Sequence, residues 1–431
     1  MRIIKSLVPQ SLKNIYHLVQ AILANVIFGF PSRKIKVIGI TGTDGKTTTT
    51  QMVAKIFEEA GKKVAMASTI NFSINGKEEK NLSHYTTESS FAVQKFIRKA
   101  VDSGCEYLVL ETSSHALDQH RVWGIKYGTA VITNITREHL DYHKTLEKYR
   151  KAKEKLFEIV ERNKGTIIVN ADMEKAESFL KHAEAKSFAY SVCKESIEGN
   201  CKLIRAEKVE LRIDGSNFDV QGTNLMLNLP GEFNIENALA ATCVGLSEGF
   251  ELETIKEALA KIKGIPGRLE SVGNDRGLNI LVDFALTPNA LKRLYKLLLS
   301  VKKEDAKIIA VFGSCGDRDK GKRPIMGEVV SEYADIVILT NEEPYHEDPQ
   351  KIIDEIVGGI KNKTQNENLW IIVDRRQAIA KAFEMAKAGD IIAVTGMGNF
   401  ETMVVGDKKL PWNDRKVIEE ELEKISKRTN I

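Results

Sequence analysis

The sequence predicts a layered α/β protein with mostly parallel sheets. Apolar strand-like runs alternate with helical patterns along the chain, as parallel strands joined by crossover helices require. Residues 39 to 47 read Gly-Ile-Thr-Gly-Thr-Asp-Gly-Lys-Thr between an apolar run and a Thr-rich helix start, a phosphate-loop arrangement. A length of 431 residues exceeds what one core usually organises. These observations predict a short helical N-terminal segment over 1–35, a central P-loop domain over 36–265, and a C-terminal Rossmann-like α/β domain over 266–431.

In chain order, the first segment holds residues 14–32 without a charge, preceded by Arg2, Lys5 and Lys13. Asn14, His17, Gln20 and Asn25 interrupt its apolar character and Pro31 stops it. A helix docked on the next domain is favoured, with peripheral contact with the inner membrane face through 14–32 as the alternative. Lys36-Val-Ile-Gly-Ile40 then reads as the strand that delivers the loop to a helix N-terminus. Gly42, Thr43 and Gly45 let backbone N–H groups converge on phosphate oxygens, Lys46 reaches the terminal phosphates, and the Thr47 hydroxyl meets Mg²⁺. Asp44 and Thr48 complete the nucleotide-contacting loop. The general Walker spacing needs Gly where Ile40 stands, so this is a shorter variant. ATP is the implied ligand.

Further strands are expected at Tyr107-Leu110, Ala130-Thr133, Thr166-Val169, Ile280-Phe284, Ile308-Phe312, Ile336-Leu339, Leu369-Val373 and Ile391-Val394. Polar residues follow these runs, where ligands bind in open α/β sheets: Glu111, Asn134, Asp283, Asp317 with Arg318, Asn341 and Asp374. Residues 201–229 read as short hairpins, with turns at Asp214-Gly215 and Gln221-Gly222. A boundary is expected near Gly264–Arg268. A helix begins near Thr145 and puts Tyr149, Lys153 and Phe157 on one face.

Four of the eight histidines lie between Glu111 and His143. Glu111, ending one strand, and His139, following the next, make a candidate Mg²⁺ or Mn²⁺ pair. His115, His120 and His143 serve equally well as local hydrogen-bonding groups. Five scattered cysteines give neither a disulfide framework nor a zinc knuckle, and point to a reducing cytoplasm. A net charge of +4 on 63 basic and 59 acidic side chains argues against nucleic acid.

Thr41-Gly-Thr-x-Gly-Lys-Thr47, Glu111-x-Ser-Ser-His115, Thr133-Asn-x-Thr-Arg-Glu-His-Leu-Asp-Tyr-His143 and Leu229-Pro-Gly-x-Phe-Asn-x-x-Asn-Ala238 together resemble the Mur ligases. Gly267-Arg268-Leu-Glu270, Val282-Asp-Phe-Ala-x-Thr-Pro288, Gly316-Asp-Arg-Asp-Lys-Gly-Lys-Arg-Pro324 and Asp414-Arg415 most resemble the branch that makes UDP-N-acetylmuramyl tripeptide. The resemblance implies a cytoplasmic, monomeric ATP-dependent ligase of peptidoglycan synthesis. Its substrates would be a nucleotide-linked peptide precursor and a free amino acid, with Mg²⁺ at two sites. It implies catalytic roles for Lys46, Glu111, His139, Lys153, Arg268 and Asp283, with Thr47, Glu111 and His139 at the metals. Lys153 matches a lysine that these ligases carbamylate with CO₂ into an anionic metal ligand. Asn237 would lie against adenine, and Arg268 and Asp283 would close over phosphate and ribose. Thr86, Thr87, Ser113, Gln119 and Arg121 match positions that hold the UDP-muramyl-dipeptide, although Glu88 replaces a proline of that loop.

Departures from the family pattern bear on the substrates. Only about 35 residues precede the P-loop strand, where tripeptide synthetases usually carry a uridine-binding domain. Thr340-Asn-Glu-Glu-Pro-Tyr345 replaces Asp-Asn-Pro-Arg, so Tyr345 stands where diaminopimelate-adding members use arginine. Gly396-Met-Gly-Asn-Phe400 replaces Gly-Lys-Gly-His-Glu, removing a glutamate or displacing it to Glu401, and Leu286 replaces a histidine. Glu342, Glu343 and His346 would then suit a lysine or ornithine ammonium, with Arg318 on the acceptor α-carboxylate. An archaeal-type pseudomurein peptide ligase, a folylpolyglutamate synthase-like ligase and a ligation-deficient nucleotide-binding subunit are the competing readings.

Overall fold

A computed structural model describes residues 9–182, 186–198, 201–212 and 214–429. Arg2 and Lys5, with the rest of 1–8, lie outside the described residues.

Strands β1 (Lys36–Thr41), β2 (Val64–Ala67), β3 (Asn71–Ile74), β4 (Lys77–Lys80), β5 (Tyr107–Glu111), β6 (Tyr127–Ile132), β7 (Thr166–Asn170), β8 (Lys186–Ser191) and β9 (Lys202–Arg205) form one sheet. Its order is β4-β3-β2-β5-β1-β6-β7-β8-β9. From β2 to β9 every neighbouring pair is parallel, and β3 and β4 add an antiparallel edge. The central strands read as continuous apolar runs because helices cover both faces: β5 (Tyr-Leu-Val-Leu-Glu) is buried at all five positions. Two apolar clusters, one on each face, hold Ile38, Val109 and Val131 on one side and Val37, Leu108 and Ala130 on the other. That alternation is the two-residue period of a pleated strand.

A small antiparallel sheet of β10 (Glu207–Arg212), β11 (Gly215–Val220) and β12 (Thr223–Leu227) follows. The expected hairpin at Gln221-Gly222 joins β11 to β12. The last large sheet comprises β13 (Glu270–Val272), β14 (Asn279–Asp283), β15 (Ile308–Phe312), β16 (Ile336–Leu339), β17 (Leu369–Ile371) and β18 (Ile391–Thr395) in the order β13-β14-β18-β15-β16-β17. It is parallel apart from β13. A hairpin of β19 (Thr402–Val405) and β20 (Lys408–Pro411) stands beside it.

The helices that matter for the site are α1 (Gln10–Phe28), α2 (Lys46–Glu59), α3 (Ser90–Asp102), α4 (Ser114–Asp118), α5 (Leu146–Arg162), α6 (Glu232–Ser247), α7 (Pro288–Val301) and α8 (Arg323–Tyr333). Thr145 caps α5 by accepting from the Lys148 N–H, so the helix starts where its capping residue dictates. Helix α1 packs along α3. The Asn14 side chain donates to Asp118 O at 3.1 Å, and Asn25 Nδ2 donates to Trp123 O at 2.8 Å. Residues 10–28 of the first segment therefore form a docked helix, held by amides that would otherwise be poor choices inside it.

Candidate functional site

The P-loop leaves the end of β1 and turns into α2. A Cβ on Gly42 would lie 1.8 Å from Thr133 Oγ1. Gly45 has φ +83°, and a Cβ there would lie 2.3 Å from Asn237 Oδ1, so both positions require glycine. The following β6 strand clamps the loop: Asn134 O accepts the Thr43 N–H and Asn134 Oδ1 accepts the Asp44 N–H, each at 2.9 Å. Thr133 Oγ1 donates to Asp44 O at 2.6 Å.

Glu111 ends β5 beside the loop and is 1% exposed. Its carboxylate accepts from Thr47 Oγ1 at 3.1 Å, from the Thr69 N–H at 2.9 Å and from Thr69 Oγ1 at 3.0 Å. The Thr47 hydroxyl in turn accepts from Arg268 Nη2 at 3.2 Å, which ties the C-terminal part of the chain to the loop. Thr287 Oγ1 donates to Asp44 from the same side, at 3.3 Å. Lys46 Nζ donates to Thr43 O at 2.7 Å, and its burial pushes the ammonium pKa down.

Lys153, on α5, is fully enclosed. Its Nζ donates to Gly42 O at 2.6 Å and lies 4.4 Å from the centre of the Tyr149 ring, whose hydroxyl meets Thr43 Oγ1. Burial, then the neighbouring Lys46 charge, hold its amine well below the usual lysine range. His139 lines the cleft with Glu111, while its ring packs edge-on against His115 at 4.6 Å between centroids. Burial drives His139 far toward the neutral imidazole, and takes His115 down to about 3 and His143 down to about 4. His143 bonds Ser114 Oγ at 3.0 Å, a local role.

Two hollows meet at the loop. One is lined by Asp44, Gly45, Thr48, Asn237, Arg268 and Asp283. Asn237 accepts from Thr49 Oγ1 at 3.3 Å, and Asp283 accepts from the Leu269 and Ala285 N–H groups, both at 2.7 Å. Burial raises the Asp283 carboxyl pKa. Arg268 lies over the Phe284 ring at 4.7 Å. The second, the cleft, is lined by Lys46, Thr47, Thr86, Glu111, His139, Arg318, Glu343 and Tyr345 among others. Thr86 Oγ1 lies 3.2 Å from Thr69 Oγ1, within hydrogen-bond distance. Behind it Thr87 Oγ1 accepts the Ser113 N–H at 2.9 Å, and Arg121 donates to the Thr87 and Glu88 carbonyls. Gln119 sits at the end of α4, donating its N–H to His115 O.

The anticipated grouping of Glu342, Glu343 and His346 does not assemble in the cleft. Glu342 turns inward, 1% exposed, and accepts the Cys315 thiol at 3.0 Å. It follows β16 by three residues, and the tight backbone at Gly396 leaves just the room its carboxylate fills. His346 faces away to Asp317 and Asp407, at 2.8 and 3.2 Å. Glu343 alone reaches the cleft, where it accepts the Val404 N–H at 3.2 Å and lies 3.3 Å from His84 Nδ1. Glu401 pairs with Lys80 and Lys416. Arg318 lies over Tyr345 at 5.4 Å, and no described carboxylate pairs with its guanidinium.

Thr69, His84 and Glu138 stand outside the residues that the sequence singles out for the site. Thr69 grips Glu111 from just after β2, a position where a polar residue after an apolar run is the only hint. His84 bonds Thr402 Oγ1 at 2.8 Å across more than three hundred positions of sequence. Glu138, within the Thr133–His143 stretch, meets Lys322 at 3.2 Å in a pair buried from both sides.

Among the described residues no group of three or more His, Cys, Asp or Glu forms a metal cage. Mg²⁺ does not need one, since it is commonly held by one or two carboxylates, waters and substrate phosphates. The glycine cradle, the Thr47 hydroxyl and the Glu111 carboxylate fit a Mg²⁺–triphosphate.

The family model for the Mur ligase middle domain matches residues 40–245, and that for the Mur ligase, glutamate ligase domain matches 267–398. The chain is 39% identical over 411 residues to the UDP-N-acetylmuramoyl-L-alanyl-D-glutamate--2,6-diaminopimelate ligase of Clostridium tetani, covering 94% of this chain and 81% of that protein. It is 36% identical to the UDP-N-acetylmuramyl-tripeptide synthetase of a Roseiflexus species, covering 91% and 79%. A solved UDP-N-acetylmuramoyl-L-alanyl-D-glutamate--2,6-diaminopimelate ligase superposes with a TM-score of 0.61 at 30% identity, over 91% of this chain and 79% of that one.

Proposed function

Because this chain belongs to the Mur ligase family, whose members are ATP-dependent ligases forming C–N bonds, we propose that it adds the third amino acid to a UDP-MurNAc-dipeptide-like cell-wall precursor. The carboxylate of the precursor attacks the γ-phosphorus of ATP, ADP leaves, and an acyl phosphate forms. The amine of the acceptor then attacks the acyl carbon, and the tetrahedral intermediate collapses to amide and phosphate.

The observation that carries this reading is the meeting of P-loop, Glu111, His139 and Arg318 around one cleft. Two anions must approach one another there, so fixed positive charge lowers the barrier. Lys46 and Arg268 supply it from the protein. Mg²⁺, held by Thr47 and Glu111 and at a second site near His139, would add Lewis-acid charge neutralisation when bound. Asn237 holds the base, while Arg268 and Asp283 secure phosphate and ribose. Thr86, Thr87, Ser113, Gln119 and Arg121 carry the precursor.

Lys153 is proposed to be carbamylated: its neutral amine adds to the carbon of CO₂ and loses a proton, leaving an anion. Lys153→Ala then loses turnover and regains part of it with short-chain carboxylates. Full activity of the untreated variant would remove the carbamate.

For the acceptor we propose lysine or ornithine, with Arg318 on the α-carboxylate and Glu343 toward the distal ammonium. Diaminopimelate, in the names of two relatives, carries a second carboxylate. Among the cations lining the cleft, Lys46 is tethered to Thr43 O in the phosphate loop, Lys322 is paired with Glu138 and Arg268 is engaged at Thr47, which leaves Arg318 for one carboxylate. The enzyme is proposed to work as a cytoplasmic monomer, with peripheral contact at the inner membrane face through residues 14–32.

The test is ATP-dependent phosphate release with UDP-MurNAc-L-Ala-D-Glu against lysine, ornithine, diaminopimelate, alanine and glutamate, with products weighed by mass spectrometry. Release with lysine or ornithine supports the whole reading, and release with diaminopimelate alone overturns the acceptor assignment. Turnover only with folate and glutamate, or only with a non-muramyl peptide, overturns the donor. ATP binding without any amino-acid-dependent release would make the chain a nucleotide-binding subunit.

A further inference from the structure

Helix α1 is inside out. Its docked side carries Ala21, Ala24 and Asn25, all fully buried. Leu12, Ile15, Val19, Leu23, Val26 and Ile27 instead face solvent, with Val26 61% and Ile27 65% exposed. At 100° per residue these six side chains fill an arc of about 120°, a continuous stripe along the whole helix. A surface helix ordinarily turns such a stripe to the core, and an apolar patch of this extent marks a docking surface. Lys13 is the single charged residue between Gln10 and Phe28.

The charge around the stripe selects its occupant. Among the described residues before Asp44, the first acid of the sequence, the cations are Lys13, Arg33, Lys34 and Lys36, the last paired with Glu248 at 2.9 Å. Arg33 and Lys34 lie five and six residues past the end of the helix, in the short turn Pro31–Lys34, and both are exposed. Arg33 also borders a concavity of about 860 Å³ lined by Lys126, Lys155, Arg162 and the part-exposed Trp123. Glu158 is the acid in that lining, and Lys155 is partnered by Asp118 at 2.9 Å. A second copy of this chain would bring like charges together at the same stripe. An anionic bilayer offers the complementary sign together with an apolar layer for the side chains. Among the described residues no helix is long and apolar enough to cross a membrane, so α1 would lie in the interface plane.

The geometry points to α1 as an interfacial anchor that seats the protein on an anionic phospholipid surface, its apolar stripe among the acyl chains and Lys13, Arg33 and Lys34 at the headgroups. This deepens the membrane contact in the function proposed above and is independent of which amino acid is ligated.

The full-length chain is sedimented with phosphatidylglycerol–phosphatidylcholine vesicles and with pure phosphatidylcholine vesicles, at low and high salt. Binding is expected to the anionic vesicles, weakened by salt. Val19→Glu with Ile27→Glu lowers the partition coefficient by at least about tenfold, since two apolar anchors become anions. Lys13, Arg33 and Lys34 changed to Gln lower it by roughly a hundredfold, at about one unit of charge attraction each. Both variants keep lipid-free ATP turnover, which reads folding and ligation separately from docking; a chain that docks but ligates nothing would sink only the ligase reading. Equal binding to neutral and anionic vesicles, or pelleting unchanged by the helix substitutions, overturns the proposal. So does a lipid-free dimer by sedimentation equilibrium that the Val19 and Ile27 substitutions dissociate, which would make a second copy the occupant.

Discussion

Lys46 and Arg318, proposed for the phosphates and for the acceptor carboxylate, are two cleft cations that differ in kind. Lys46 is a buried point charge tethered to a loop carbonyl. In the proposed reaction, removing it takes a protein cation away from the triphosphate. Lys46→Ala is therefore expected to lower phosphate release by about a thousandfold or more, measured at saturating ATP. Arg318 presents a planar fork over Tyr345 with no described carboxylate to occupy it. Arg318→Ala should raise the KM for the amino acid by roughly tenfold to a hundredfold while changing kcat less, because a bidentate grip on carboxylate is lost. Arg318→Lys should recover only part, since an ammonium cannot form the fork. An unchanged KM in both would take Arg318 out of the acceptor site.

The loop after β15, residues 313–322, carries Arg318 and Lys322, and it is braced by Glu347. That carboxylate accepts both Nη groups of Arg323 at 3.0 Å, the Asp317 N–H at 2.7 Å and Lys320 Nζ at 2.8 Å. The Arg323 hydrogen bonds, with help from Lys320 and Asp317, hold its carboxyl down to about 2, against an ordinary 4.5. The unfolded chain takes up the proton first as pH falls below 4.5, so the brace contributes fully above that value and is lost toward 2. Wild-type denaturation midpoints should fall more steeply between pH 5 and 3 than those of Glu347→Gln. Parallel pH profiles would show that the loop draws no stability from the brace.

At the scale of the molecule, the C-terminal sheet and its loops close over the P-loop through polar contacts: Arg268 on Thr47, Thr287 on Asp44, Arg137 on Asp319, and Lys322 on Glu138. The last pair is 2% and 7% exposed, so removing one partner strands a charge. Lys322→Met is expected to cost about 3–5 kcal/mol in denaturant titration, and the double variant Lys322→Met with Glu138→Gln to recover much of it. Additive losses would show that the two do not act as a pair. The sequence by itself determined the layered α/β class, the strand cores and the P-loop, because continuous apolar runs and a glycine cradle are local properties of the chain. It also located Glu111 and His139 after strands, where parallel sheets open. It misassigned Glu342 and His346 as cleft groups, since a run of neighbouring polar residues says nothing about which side chain turns inward. Only the tertiary structure decided that Thr69 secures Glu111, that His84 spans the cleft to Thr402, that Lys322 meets Glu138, and that α1 turns its apolar face outward. Each of those depends on segments far apart in sequence meeting in space, and such pairings are fixed by packing of whole sheets rather than by any local pattern.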